Sequence, residues 1–96
     1  MKPKKGKLYI LQLKWNADPA KAGSAVPLWD RRFDISVFLE SSPKKIGQVQ
    51  YNKDMFILLE DELNSFAQWS PKILTSDGIA GYITPDANLC SLKRVK

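Results

Sequence analysis

Residues 45–69, KIGQVQYNKDMFILLEDELNSFAQW, constrain the fold more than any other stretch. At its start Ile46, Val49 and Tyr51 are apolar or β-favouring positions, and Gly47 suits a bulge or an edge, which predicts a strand over 46–51. Asn52 then has the chemistry of a helix N-cap, and Asp54 suits the positive end of a helix dipole. Phe56, Leu59, Leu63 and Phe66 recur at helical spacing, with Met55 and Ala67 flanking them. Pro71 disfavours helical geometry at Ser70. The pattern predicts an amphipathic helix from Asn52 that stops near Trp69. A competing reading treats the continuous apolar run from Met55 to Leu59 as a buried strand. It would be entered through a turn at 52–54 and followed by a shorter helix over 61–69. Periodicity does not separate a buried strand from a buried helix over so few residues, and the longer helix is the expectation taken forward.

The remaining segments read mostly as strands. Over 7–15, Tyr9, Leu11, Leu13 and Trp15 alternate onto one face, and Leu8, Ile10, Gln12 and Lys14 onto the other. Residues 16–31 have two prolines, a glycine and no period, and predict a long loop. Its second half, Val26-Pro27-Leu28-Trp29, is apolar. These residues either fold back over the core or offer Trp29 as an aromatic anchor beside Arg31 and Arg32. Residues 32–40 alternate, with Phe33, Ile35, Val37 and Leu39 on one face and Phe38 as the exception on the other. The segment SSPKK turns the chain into the strand at 46–51, so three successive strands predict an antiparallel meander. Further on, Ser76-Asp77-Gly78 separates apolar runs at 72–75 and 79–83, a strong hairpin signal. A last, edge-type strand is expected over 89–95. The expected fold is therefore α+β: one domain over 1–96, a small, mainly antiparallel sheet in the order β-β-β-α-β-β-β, with one amphipathic helix packed on one face.

Charge is concentrated at the two ends. The formal net charge is +5. Lys2, Lys4, Lys5 and Lys7 fall in the first seven residues, and Lys93, Arg94 and Lys96 in the last four. The body from Leu8 to Leu92 carries eight basic against ten acidic residues. This predicts basic arms rather than a basic folded face, with residues 1–6 as a flexible lead-in that either solubilises or seeks phosphate.

Several chemistries lack their residues. The chain has no histidine, the commonest general base and metal ligand, and one cysteine, which excludes a Cys/His zinc site and an internal disulfide. Cys90 has no histidine to activate it and reads as a small buried hydrophobe. Glu60, Asp61 and Glu62 are consecutive, so on a helix they diverge by about 100° per residue and do not converge on an ion. Ser41 and Ser42 near Lys44 and Lys45 are explained by turn polarity better than by a serine–lysine pair. No phosphate-binding glycine loop, signal peptide or membrane-length apolar run is visible. The expectation is a cytoplasmic, non-enzymatic protein without a cofactor.

Two kinds of partner remain. A nucleic acid would be held by the basic ends and by loop residues, with Lys2, Lys4, Lys5, Lys7, Trp29, Arg31, Arg32, Lys44, Lys45, Lys93 and Arg94 as the candidate contacts. Tyr9, Trp15, Trp29, Phe38 and Tyr51 are the aromatic residues available to stack on bases. The alternative is a protein-binding module, such as a small inhibitor or adaptor, acting through the Val26–Trp29 loop or a sheet edge. The same edge offers self-association. The charge asymmetry favours the nucleic acid, since it is the one non-structural feature spanning separate parts of the chain.

Overall fold

The computed structural model describes residues 3–18, 20, 23, 25–32 and 42–95. Among them are seven strands: β1 (Leu8–Leu13), β2 (Ala25–Trp29), β3 (Lys45–Gln50), β4 (Met55–Glu60), β5 (Lys72–Thr75), β6 (Ala80–Tyr82) and β7 (Cys90–Arg94). They form one sheet in the order β3-β2-β6-β5-β4-β1-β7, with every pairing antiparallel. The strand expected over 32–40 lies, after Arg32, outside the described residues.

The α+β expectation is overturned. The segment expected as a helix over 52–69 is strand β4 followed by an irregular loop, and no helix packs on the sheet among the described residues. Asn52 is not an N-cap. It takes φ +60° in a turn, a conformation asparagine tolerates better than most residues. Its amide donates to the Leu11 carbonyl at 2.7 Å, and its Oδ1 accepts from the Leu13 amide at 3.2 Å. Beyond the turn, burial follows a period of two: Phe56 and Leu58 are inside, and Met55 is 44% exposed. Leu63 and Phe66, expected on the buried face of the helix, are 61% and 45% exposed. The competing reading of 55–59 as a buried strand describes this part of the chain, but its shorter helix over 61–69 is absent. Long-range pairing decides the outcome, because β4 bonds β1 on one side and β5 on the other.

In place of the second half of the helix, Asn64 organises a tight loop. Its Oδ1 accepts from the Phe66 and Gln68 amides at 2.9 and 3.0 Å, and its Nδ2 donates to Gln68 Oε1. Leu63 and Trp69 then pair across the loop's base. Asparagine competes well for local backbone groups, and this one is buried and fully engaged.

The expected meander of the first three strands is also corrected. The second half of the 16–31 connection is β2, which pairs with β3, while β1 lies between β4 and β7. Pro27 is tolerated inside β2 because β2 meets β6 only at Trp29↔Tyr82, so a full hydrogen-bond ladder is not needed on both sides of the proline. The β5–β6 hairpin forms where Asp77-Gly78 signals it, as a three-residue loop with Gly78 at φ +84°.

The sheet bends back on itself. β3 and β4 stand four places apart in the strand order, about 19 Å in a flat sheet at about 4.8 Å per strand. Yet the Asp54 amide donates to the Gln50 carbonyl at 3.2 Å. The curl encloses one core containing Tyr9 and Leu11 from β1, Val26 and Leu28 from β2, Val49 from β3, and Phe56 and Leu58 from β4. Ile73, Ile83 and Cys90 complete it.

Closure depends on Gly81. A Cβ there would lie 2.8 Å from both Leu28 Cγ and the Trp29 carbonyl oxygen. Rotating Leu28 does not relieve the backbone contact. Gly81→Ala is therefore expected to lower stability by about 1–3 kcal/mol through overpacking. Urea denaturation measures this, and an unchanged midpoint would contradict the close approach of β2 and β6.

Candidate nucleic-acid interface

The two basic ends meet. β1 pairs with β7 in the register Tyr9↔Arg94 and Ile10↔Lys93, and the Val95 amide extends the ladder by donating to the Leu8 carbonyl at 2.9 Å. Lys93 and Arg94 are thereby set beside the segment that carries Lys4, Lys5 and Lys7, and all five side chains are exposed. The lead-in is tied down at residues 4–6. The Lys4 amide donates to the Tyr9 hydroxyl at 2.7 Å, and the Gly6 amide to the Leu58 carbonyl at 2.7 Å. Lys2 lies outside the described residues.

Beside this basic strand pair is a half-open cleft of about 1050 Å³. Tyr9, Leu11, Cys90 and Leu92 from β1 and β7 line it, facing Gln68 and Trp69 of the Asn64 loop and the turn at residues 84–87. Lys4, Lys14 and Arg94 contribute cations to its lining. Two acidic residues also line it, and both are engaged internally. Asp61 accepts a hydrogen bond from Trp69 Nε1, holding the indole in place, and Asp86 caps the turn by accepting from the Asn88 amide at 2.9 Å.

The second group of candidates lies on the β2–β3 pair, at the other end of the strand order. Lys44 and Lys45 are exposed, and Lys45 is opposite the partly buried Trp29. Arg31 is 44% exposed, with Nε 3.9 Å from Asp30 Oδ1. Arg32 is not an exposed contact. Its side chain is only 17% exposed: Nε donates to the Ser70 carbonyl at 3.1 Å, and the guanidinium pairs with Glu60 and Glu62 at 3.4 and 3.3 Å. The same group lies 4.7 Å from the centroid of the Tyr82 ring. The Val26–Trp29 segment is not a presented loop either, because Val26 and Leu28 are core residues.

Of the aromatic residues read as stacking groups, Tyr9 is buried, Trp29 and Tyr51 are partly buried, and Phe38 lies outside the described residues. Trp15 is 97% exposed. Sequence reasoning missed Gln68 and Trp69 as cleft residues, since their placement depends on the Asn64 loop replacing a helix, and Lys14, whose position follows from its bond to the Leu89 carbonyl beside β7. Cys90 is 3% exposed, and burial first, then the neighbouring Asp86, pushes its thiol above the usual cysteine range. A thiol held protonated this way is a poor nucleophile. Tyr51 is raised mainly by burial as well, with Cys90 and Asp86 adding to it.

Among the described residues, no group of three or more His, Cys, Asp or Glu side chains is placed to hold a metal ion, and no helix is long and apolar enough to cross a membrane. Compared with known proteins, the chain matches no family model, and no curated protein or solved structure matches it significantly.

Proposed function

We propose that this chain is a non-enzymatic nucleic-acid-binding protein whose contact surface is the β1–β7 strand pair and the cleft beside it. The observation that carries the reading is the pairing of Tyr9 with Arg94, which sets two separate basic stretches side by side at the β7 edge, Arg94 on the face of Tyr9 and Lys93 on the opposite one. Lysine and arginine neutralise phosphates and release counterions, so affinity comes from the number of cations that reach the backbone. Lys4, Lys5, Lys7, Lys93 and Arg94 are five such cations, with Lys14 at the cleft. Lys44, Lys45 and Arg31 lie on a different part of the sheet and extend the contact only for a longer ligand. Arg32 takes no part, being held by Glu60, Glu62 and Ser70.

A protein partner is the second reading. β7 is an outermost strand among the described residues, and an extended peptide or a second copy of the chain can add to such an edge. Mobility shift with short single- and double-stranded DNA and RNA at two salt concentrations separates the two. A shift that weakens steeply with salt is the expected result, and no shift at low salt would exclude nucleic acid as the ligand.

A further inference from the structure

Trp15 is the least expected side chain on the surface. A tryptophan normally covers a large apolar area, yet this one is 97% exposed. Its backbone is not loose. The Lys14 amide donates to the Leu89 carbonyl at 2.9 Å, and the Ala17 amide closes a turn onto the Lys14 carbonyl at 3.0 Å. The ring is therefore presented from a position anchored against the segment that enters β7.

The surroundings connect it to the cleft. A shallow depression beside the ring is formed by Gln12, Leu13, Lys14, Trp15, Asn16 and Ser91, and two of these, Lys14 and Ser91, also line the large cleft. The path from the cleft to the ring rounds the strand pair at Lys14 and Ser91, from the face of Tyr9, Leu11, Leu92 and Arg94 to the opposite face, where Gln12 lies. Lys4 and Arg94 lie toward one end, Lys14 lies between, and Trp15 stands at the other.

Resting on the nucleic-acid reading above, we infer that a single strand follows this path and that Trp15 stacks on one of its bases. Cations along a path that ends on an exposed aromatic ring match the two demands of an unpaired strand, phosphate neutralisation and a π-surface for bases. A duplex satisfies only the first, since its base faces are already stacked on one another. The ring adds affinity without recognising sequence, because every base has a face to offer.

Fluorescence anisotropy with a labelled oligothymidine of about 12 nucleotides, within the site size of small single-strand-binding domains, tests this against a duplex of equal length. The proteins compared are the wild type, Trp15→Ala and Trp15→Phe. Trp15→Ala is expected to bind the single strand about tenfold more weakly, within the range for one lost base stack, while the salt slope and duplex binding stay unchanged. Trp15→Phe is expected to recover part of the loss. Thermal melting checks that the fold survives, as expected for so exposed a side chain. Unchanged single-strand affinity in Trp15→Ala, or wild-type preference for the duplex, would overturn the inference and leave the proposed function standing. Failure of the wild type to bind either oligonucleotide would overturn both.

Discussion

Phe56→Ala is expected to destabilise the protein by about 3–5 kcal/mol, whereas Phe66→Ala should cost less than about 1 kcal/mol. The two residues distinguish strand from helix in the central segment. Phe56 is 1% exposed and sits between Tyr9 of β1 and Thr75 of β5. Removing its ring leaves a cavity that the flanking strands cannot fill without breaking the ladder. Phe66 is 45% exposed, and its amide bond to Asn64 Oδ1 is kept when the side chain is truncated. On an amphipathic helix both rings would occupy the same buried face and the two costs would be alike. Total stability for a domain of this kind is about 5–15 kcal/mol, so the first substitution should move the urea midpoint far and the second hardly at all. Equal losses would restore the helix.

Arg32→Ala should have the next largest effect, a loss of about 2–4 kcal/mol. Glu60 and Glu62 are themselves 41% and 55% exposed, so solvent screens those two ion pairs and they supply the smaller part. The larger part comes from the bond to the carbonyl of fully buried Ser70 and from the stacking on Tyr82. Arg32→Lys is not expected to restore stability, because one ammonium does not reproduce a planar fork that bonds a carbonyl, two carboxylates and a ring face together. Arg31→Ala, by contrast, should leave melting nearly unchanged. Thermal denaturation of the three variants makes the comparison. A silent Arg32→Ala would mean that the contacts to Ser70 and Tyr82 contribute nothing to folding.

The sequence was legible where local chemistry decides the outcome. Asp77-Gly78 forms its hairpin because a glycine at positive φ is enough to turn the chain. Tyr9 and Leu11 share one face as their alternation requires, that face being the buried one, and Cys90 is buried as expected. Legibility failed where distant partners choose between two acceptable local states. Met55–Leu59 fits either period, and β1 and β5 settle it as strand. Asn52 has the chemistry of an N-cap and of a left-handed turn, and its bonds to Leu11 and Leu13 select the turn. Pro27 made β2 look like loop, since nothing local reveals that β6 meets β2 only at Trp29.

The candidate interface divides in the same way. Its charges are visible in the first and last residues of the chain, but their convergence requires the β1–β7 register, which joins opposite ends of the sequence. The cleft was not legible at all, because one wall is the loop held by Asn64. Arg32 looked like part of a basic pair with Arg31, and only the fold shows that one arginine turns inward.

The most direct test of the joined basic surface is the salt dependence of single-strand binding for the wild type and for Lys93→Ala/Arg94→Ala. Six phosphate-neutralising cations at Lys4, Lys5, Lys7, Lys14, Lys93 and Arg94 should give a slope of log K against log salt of about −4, at about −0.7 per phosphate. The double variant should flatten this to about −3 while melting normally, since both side chains are exposed. A wild-type slope near zero, or one that the double variant leaves unchanged, would contradict the claim that the paired ends act together on phosphate.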